Sequence, residues 1–287
     1  MIKDRSGNII AQDSGESGSL KFFYKNAFGR LLNKLMVRKF ISNLGRAYMD
    51  SRFSKGRIKK LIKSSNIDMS EYENREFISF NDFFTRKLID GKRSIDMAPE
   101  AVVSPADSKL TVYDIGADSV YRIKGCDYSI KTLLGDEELA KRFYGGKCFV
   151  YRLCDDNYHR YCYPDGGYER EYRFIPGIYH TVNPIALESN DVYGKNCREL
   201  TLLETDNFGE VAYIEVGAMM VGRINNAHTK EHFARGQEKG YFSFGGSTVI
   251  VLYKKDVVVP DEDIAENSDR EIETTVLLGE HVGIKGA

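Results

Sequence analysis

Residues 236–253 read GQEKGYFSFGGSTVIVLY: a polar run, four mostly apolar residues at 241–244, two glycines with a serine, and then six β-rich residues. Taken alone, Gly245, Gly246 and Ser247 are typical of a hairpin turn between strands at 241–244 and 248–253. Residues 168–174 alternate with period two, as a half-buried strand does. Other β-rich runs lie at 148–153, 200–203, 211–216 and 274–278. Helical patterns do not alternate with these runs, so a mostly antiparallel β core is predicted after about residue 98.

Three helical patterns precede this core. Apolar residues lie on one helix face over residues 20–35, with lysines and arginines off that face, and shorter patterns follow at 37–48 and 58–62. We therefore predict an α+β protein in which N-terminal amphipathic helices are followed by the β core. Its parts are a flexible tail over residues 1–19, a basic helical region over 20–98 and the β-rich core over 99–287.

Charge is distributed unevenly along the chain. Residues 20–63 hold thirteen Lys or Arg and one acid, Asp50, so this segment carries about +12 and the remainder about −13. Such polarity indicates an anionic partner for the N-terminal part, either a membrane or a nucleic acid. The apolar stripe of each helix can pack against the core or lie on a membrane surface. Both arrangements are possible in one protein, because one helix can pack on the core while another contacts the membrane. Their aromatic residues fall on the stripe instead of among the bases, which disfavours nucleic acid.

Other sequence signals narrow the class of protein. No apolar run reaches 18 residues, so no membrane-spanning helix is predicted, and the first 19 residues lack the apolar core of an export signal. The five cysteines are odd in number and form no C-x-x-C pair, which disfavours a disulfide framework or a zinc site. A cytoplasmic protein is expected.

A series of short motifs accompanies the Gly-Ser-Thr segment at 246–248. In chain order they are Asn81-Asp-Phe-Phe-Thr-Arg-Lys-Leu88, Ser104-Pro-Ala-Asp107, Asn157-Tyr-His-Arg160, Pro176-Gly177, Thr181-Val-Asn-Pro184, Val216-Gly-Ala218 and Val221-Gly222. Together with Gly-Gln-Glu-x-Gly at 236–240, this series closely resembles the phosphatidylserine decarboxylase family over roughly residues 75–255. The resemblance, more than any periodicity, carries the functional prediction.

The resemblance implies a precursor that cuts itself. Ser247 would attack the carbonyl of Gly246, giving a β chain of residues 1–246 and an α chain of residues 247–287 that stay associated. Ser247 would become a covalent pyruvoyl group, the enzyme's only cofactor, and form an imine with the serine headgroup of phosphatidylserine. Glycine at 246 suits this chemistry because the absence of Cβ lets the hydroxyl approach closely.

The same resemblance implies the substrate and the location. Phosphatidylserine would lose CO2 and become phosphatidylethanolamine. The enzyme would lie on anionic membranes, as a peripheral protein of the cytoplasmic face of the cell membrane, and the basic helical region would make the contact. A homodimer is left open. The alternative from another class is a catalytically inactive, lipid-binding member of the family.

Resemblance further implies a charge relay of aspartate, histidine and serine. Asp107 matches the aspartate, which would orient a protonated imidazole. The family usually shows two histidines, in Tyr-His-Arg-x-His. Here His159 stands at the first position and Cys162 at the second, which is generally assigned to the relay. The base for self-cleavage could therefore be His159, Cys162 or His180 from a neighbouring strand, although a thiol is a poor base near pH 7.

Two further patterns do not indicate a site. His228 and His232 have the spacing of helical zinc ligands, but the glutamate is not adjacent to the first histidine, so an exposed loop without metal is expected. Gly145-Gly146-Lys147 lacks the rest of a phosphate-binding loop and is predicted to be a turn that leads into a strand.

Overall fold

The computed structural model describes residues 1–11, 26, 39–116, 120–123, 126–178, 192–217, 224–244 and 247–286. Within them the protein is α+β with mostly antiparallel sheets, as predicted. The strands are β1 (Ile2–Lys3), β2 (Ile9–Ala11), β3 (Ala101–Val103), β4 (Ser108–Asp114), β5 (Val120–Ile123), β6 (Cys126–Ser129), β7 (Lys147–Leu153), β8 (Arg160–Cys162), β9 (Gly167–Ile175), β10 (Arg198–Thr205), β11 (Gly209–Gly217), β12 (Ile224–Asn226), β13 (Glu238–Phe242), β14 (Ser247–Tyr253), β15 (Val258–Pro260), β16 (Glu273–Val276) and β17 (His281–Lys285).

A nine-stranded sheet forms the centre of the protein, in the order β2-β1-β16-β4-β7-β14-β11-β10-β9. Strand β14 pairs antiparallel with β7 on one side and with β11 on the other, and all seven of its residues are buried. Alternate residues of β14 contribute to two separate hydrophobic clusters, Ile250 to one and Val249 to the other. Apolar side chains on both faces thus explain why this run is continuously hydrophobic.

The strands on either side of the Gly-Gly-Ser segment do not pair with each other. Strand β13 lies in a three-stranded sheet of order β12-β13-β8, whereas β14 lies in the large sheet. The hairpin reading of residues 241–253 was therefore wrong. The reason is tertiary: β14 finds both of its partners, β7 and β11, in segments distant along the chain. Ser247 stands where the chain passes from one sheet to another.

The described helices are mostly short. They are α1 (Lys39–Asp50), α2 (Gly56–Ser65), α3 (Phe80–Phe84), α4 (Ile130–Leu134), α5 (Glu137–Lys141), α6 (Val192–Lys195) and α7 (Glu262–Asp269). Helix α1 overlaps the second helical pattern of the sequence from residue 39 onward, and α2 contains the third. The pattern over residues 20–35 lies outside the described residues, apart from position 26. Among the described residues, no helix is both long and apolar enough to cross a bilayer.

Helices α1, α2 and α3 share a third hydrophobic cluster. Met49, Ile58 and Phe84 are buried in it, and Phe244, just before the Gly-Gly-Ser segment, packs against it. Ser79 caps α3 by accepting a hydrogen bond from the backbone N–H of Asp82. The N-terminal helices are thereby packed directly beside the segment that contains Ser247.

Residues 1–11 correct the expectation of a flexible tail for that part of the chain. Strand β1 pairs in parallel with β16, and β2 pairs antiparallel with β1. Arg5 binds this segment to the C-terminal part of the chain: its Nε lies 2.6 Å from Asp263 Oδ2, and its Nη2 lies 2.7 Å from Asp261 Oδ2. Residues 12–19 of the expected tail lie outside the described residues.

Candidate active site

Ser247 and His159 meet at the junction of the two sheets. Ser247 is the first residue of β14, and His159 immediately precedes β8. The Oγ of Ser247 lies 3.3 Å from Nδ1 of His159. Both side chains have no exposed surface. A serine hydroxyl needs a base within hydrogen-bond reach to become a nucleophile, and this imidazole occupies that position.

The second ring nitrogen of His159 contacts the backbone. Its Nε2 lies 2.9 Å from the carbonyl oxygen of Cys154. A carbonyl only accepts hydrogen bonds, so Nε2 carries the proton and donates it. Burial, with the nearby charge of Arg86, lowers the pKa of His159 to about 3. The imidazole is therefore neutral near pH 7, and the lone pair on Nδ1 faces the serine hydroxyl.

Aromatic rings cover the other side of the site. The ring of Phe84 stacks on His159 at 3.8 Å between centroids, and Phe244 packs edge-on against Phe84 at 5.2 Å. The side-chain oxygen of Asn81 accepts a hydrogen bond from the backbone N–H of Phe244, with the two atoms 2.7 Å apart. Helix α3 thus positions both the imidazole and the segment that leads to Ser247, and it excludes water from them.

Asp107 is engaged by other partners. Its carboxylate accepts hydrogen bonds from Arg93, with Nη2 2.6 Å from Oδ2, and from the backbone N–H of Leu278 at 2.8 Å. Among the described contacts, none joins Asp107 to His159 or to Ser247. His159 therefore does not make the expected contact with Asp107, because Arg93 and the Leu278 N–H occupy this carboxylate.

Cys162 lies near Asp107 but is unsuited to act as a base. The side chain is buried, and burial raises the pKa of the Cys162 thiol to about 12, with a smaller contribution from the negative charge of Asp107. The thiol is protonated at neutral pH and cannot accept the serine proton. His180 and Gly246, the remaining predicted site residues, lie outside the described residues.

The two remaining histidines of the sequence analysis lie in a loop apart from this site. His228 lies between Glu169 and Glu199 and is partly buried, and His232 contacts Asp206 at the surface. Within the described part of the chain, no group of three or more His, Cys, Asp or Glu side chains is arranged to hold a metal ion.

Three contributors to the site were missed by sequence reasoning. The carbonyl of Cys154 is a backbone group, for which no residue type gives a signal. Arg93 is one arginine among many, and its contact with Asp107 depends on the fold. Phe84 was quoted within a motif, yet only the packing of α3 shows that it lies on the imidazole.

The fold and the serine–histidine pair together define an α+β protein that carries a shielded, base-activated hydroxyl at the start of an internal strand. The profile of the family described as phosphatidylserine decarboxylase matches residues 80–284. Similar curated proteins include phosphatidylserine decarboxylase proenzyme 2 of Clostridium acetobutylicum, 45% identical over 96% of this chain and 94% of that protein. The phosphatidylserine decarboxylase proenzyme of Clostridium perfringens strain SM101 is 40% identical over 99% of this chain and 100% of that protein. The one of Fusobacterium nucleatum is 39% identical over 98% of this chain and 96% of that protein. The chain belongs to the phosphatidylserine decarboxylase family.

Proposed function

We propose that this chain is the precursor of a phosphatidylserine decarboxylase, a lyase that converts phosphatidylserine to phosphatidylethanolamine and CO2. The observation that carries the proposal is the contact of Ser247 Oγ with the unprotonated Nδ1 of a neutral, buried His159. Membership of the family, with near full-length similarity to proteins named as proenzymes, supports both the reaction and the processing.

In the proposed self-cleavage, this contact activates the serine hydroxyl. Ser247 Oγ gives its proton to His159 Nδ1 and attacks the carbonyl carbon of Gly246, and the amide C–N bond breaks as the nitrogen takes up that proton, leaving an ester. Loss of the serine α-proton then expels the Gly246 carboxylate. The dehydrated residue that remains takes up water and releases ammonia. The products are a chain ending at Gly246 and a chain that begins with a pyruvoyl group at position 247.

The surroundings of Ser247 suit a pyruvoyl group. It would lie in a buried site at the first position of β14, next to Nδ1 of His159, whose ring is covered by Phe84. When present, the group supplies an electrophilic carbonyl that accepts the electron pair released with CO2. His159 is the described titratable side chain in contact with position 247, and we assign it the transfer of the proton that replaces CO2.

The uncut chain should not turn over substrate. Ser247 and His159 have no exposed surface, and Phe84 and Phe244 close the side of the site that faces the N-terminal helices. A phospholipid headgroup has no access in this state. Cleavage two residues after Phe244 frees the end of this segment, and we propose that its displacement opens the site toward the helices.

The inactive alternative has no observation in its favour. Its support was the replacement of the second family histidine by Cys162. Because His159 itself contacts Ser247, the chain retains an imidazole at the nucleophile despite that replacement.

Membrane contact is assigned to the basic N-terminal region, on the cytoplasmic face of the cell membrane. The exposed side chains of Lys59, Lys60 and Lys63 lie on α2, and Phe53, in the turn before it, is 89% exposed. Each base near an anionic leaflet contributes about 1 kcal/mol, and an exposed aromatic ring can enter the headgroup region.

Vesicle sedimentation tests this assignment. We expect binding to vesicles that contain phosphatidylserine at low salt, with loss at high salt because screening weakens the attraction. Replacing Lys59, Lys60 and Lys63 by Gln should weaken binding to anionic vesicles. Equal sedimentation with neutral and anionic vesicles at low salt would count against the electrostatic contact.

Intact-mass analysis tests the central proposal. Purified wild-type protein should give two polypeptides, the smaller one beginning at position 247 with a ketone in place of an amine. The Ser247→Ala variant should stay whole at 32.6 kDa and release no CO2 from phosphatidylserine. An uncut wild-type chain with a free hydroxyl at 247 would refute the proposal.

A second comparison identifies the base. His159→Ala should accumulate uncut precursor on a denaturing gel, because the hydroxyl loses its proton acceptor. His180→Ala is the matched variant for the remaining candidate, and complete processing of it would remove His180 as the base. Complete processing of His159→Ala would instead remove His159.

A further inference from the structure

A backbone carbonyl takes the orienting position on His159 that a carboxylate takes in serine–histidine–aspartate sites. The carbonyl oxygen of Cys154 lies 2.9 Å from His159 Nε2, on the side of the ring opposite Ser247. Asp107, the carboxylate expected there, is bound to Arg93 instead. The orientation of the imidazole therefore depends on whatever holds the Cys154 carbonyl in place.

Asn157 holds that carbonyl. Its side-chain Oδ1 accepts a hydrogen bond from the backbone N–H of Cys154, with the atoms 2.8 Å apart. The backbone N–H of Asn157 donates to the Cys154 carbonyl at 2.9 Å. Two hydrogen bonds thus close the turn at residues 154–157, and the same carbonyl oxygen uses its second lone pair for His159.

The buried guanidinium of Arg86 also contacts the turn at residues 154–157. Arg86 has no exposed surface, and its Nη2 lies 3.4 Å from the carbonyl oxygens of both Asp156 and Asn157. These contacts fix the backbone after the turn. The Asn157 side chain fixes the peptide before Cys154, and the Asn157 N–H binds the carbonyl after it. Without the side-chain acceptor the buried Cys154 N–H loses its partner, and the turn that directs the Cys154 carbonyl at His159 loosens.

We infer that Asn157 is a positioning residue for self-cleavage: through the Cys154 carbonyl it keeps the proton of His159 on Nε2 and the lone pair of Nδ1 on Ser247. The inference rests on the proposed function. Its physical basis is tautomer choice, since a neutral imidazole has one donor and one acceptor nitrogen. If the carbonyl turns away, the Nε2–H is left buried without a partner, and the ring adopts the other tautomer, whose Nδ1–H cannot accept the serine proton.

Nitrogen-15 NMR of labelled histidine reads the tautomer directly. In the uncut Ser247→Ala protein, His159 should show a protonated Nε2 and an unprotonated Nδ1. Adding Asn157→Ala should shift His159 toward the Nδ1–H tautomer, whereas Asn157→Asp, whose carboxylate can still accept from the Cys154 N–H, should keep the original form. Unchanged signals from His228, His232 and His281 show that each variant is folded.

Cleavage rates give the matching functional readout. In a chain with Ser247 intact, Asn157→Ala should slow precursor processing by about ten- to a hundredfold, a large part of what a general base supplies, and Asn157→Asp should restore most of the rate. The control is Asp156→Asn, in the same turn, whose side chain reaches toward Lys109 and not the site; it should process at the wild-type rate.

Two results would overturn the inference: a His159 that keeps its Nε2–H tautomer in Asn157→Ala, or a wild-type rate of processing in that variant. The tautomer is measured on uncut protein and does not depend on decarboxylation. If wild-type protein proved not to cleave while the tautomer still shifted in Asn157→Ala, the proposed function would fail but the positioning by Asn157 would stand.

Discussion

Burial of His159 makes the folding stability of the protein depend on pH. In the unfolded chain its pKa has the ordinary value of 6.5, whereas in the folded protein burial lowers it to about 3. Between these values the unfolded chain binds a proton that the folded protein cannot bind. Folding stability must therefore fall as the pH drops from about 6.5 toward 3, by up to about 1.4 kcal/mol per pH unit.

This dependence can be isolated with two uncut variants. Urea unfolding of Ser247→Ala should become easier as the pH falls from 6.5 to 4, more steeply than that of Ser247→Ala/His159→Gln, which lacks the titrating ring. All other acid-titrating groups are the same in both proteins. Parallel pH curves for the two variants would show that His159 is not buried in its neutral form.

Cys162 gives the second prediction at this scale. Because burial raises the pKa of its thiol to about 12, the thiol is not the base for cleavage. Cys162→Ala should therefore process completely, as judged by the two bands on a denaturing gel. Accumulation of precursor by folded Cys162→Ala protein would return the thiol to the list of candidate bases.

Individual residues were predictable where a motif names them. Ser247 and His159 stand in quoted motifs, and the structure brings them together. The partner of Asp107 was not predictable, because Arg93 reaches it only after the chain between them has folded back. The contact of the Cys154 carbonyl with His159 was not predictable either, because every residue type has a backbone carbonyl.

At the scale of elements, a buried ion pair joins the two sheets that flank the Gly-Gly-Ser segment. Lys239 of β13 and Glu215 of β11 have no exposed surface, and Nζ lies 2.6 Å from Oε1. Removing one partner leaves an uncompensated charge in the interior, which typically costs about 3–5 kcal/mol. This pair fixes the small sheet on the large one.

Urea unfolding of the uncut Ser247→Ala protein measures this cost. Adding Lys239→Met should lower the free energy of unfolding by about 3–5 kcal/mol, and adding Glu215→Leu as well should recover part of it, because the buried carboxylate is then gone. The control is Lys131→Met, whose partner Glu137 is half exposed, with an expected effect below about 1 kcal/mol. Equal effects of the two lysine variants would contradict the buried pair.

Most strands were predictable because their runs are apolar on both faces or alternate clearly. The runs at 148–153, 200–203, 211–216 and 248–253 all fall within strands of the large sheet. Which strands pair was not predictable, as the mistaken hairpin shows. Strand β9 shows a second limit. The run at 168–174 was predicted to be a half-buried strand, yet Tyr172 and Phe174 are each 57% exposed in β9, the last strand of the described sheet.

At the scale of the whole molecule, the proposed cut leaves two interlocked chains. In the large sheet, β14 lies between β7 and β11, and β16 lies between β1 and β4, so two strands of residues 247–287 are each enclosed by strands from before the cut. Strand β17 also pairs with β3. The chains cannot separate without breaking the central sheet.

Native mass spectrometry of the processed protein should therefore show both chains in equal amounts within one particle. Denaturant should separate them, and the unfolding transition measured by circular dichroism should coincide with separation. The uncut Ser247→Ala protein is the control for the intact fold. Release of the small chain under native conditions would contradict the enclosed positions of β14 and β16.

The parallel contact of β1 with β16 bears on when the precursor can mature. Strand β1 is synthesised long before β16, and the backbone N–H of Glu273 donates to the carbonyl of Met1. Ser247 reaches its place only as β14 enters between two strands made earlier. Such distant pairings form late, since the intervening chain must first be ordered. Maturation therefore awaits the synthesis of β16, and a nascent chain still lacking this strand should remain unprocessed.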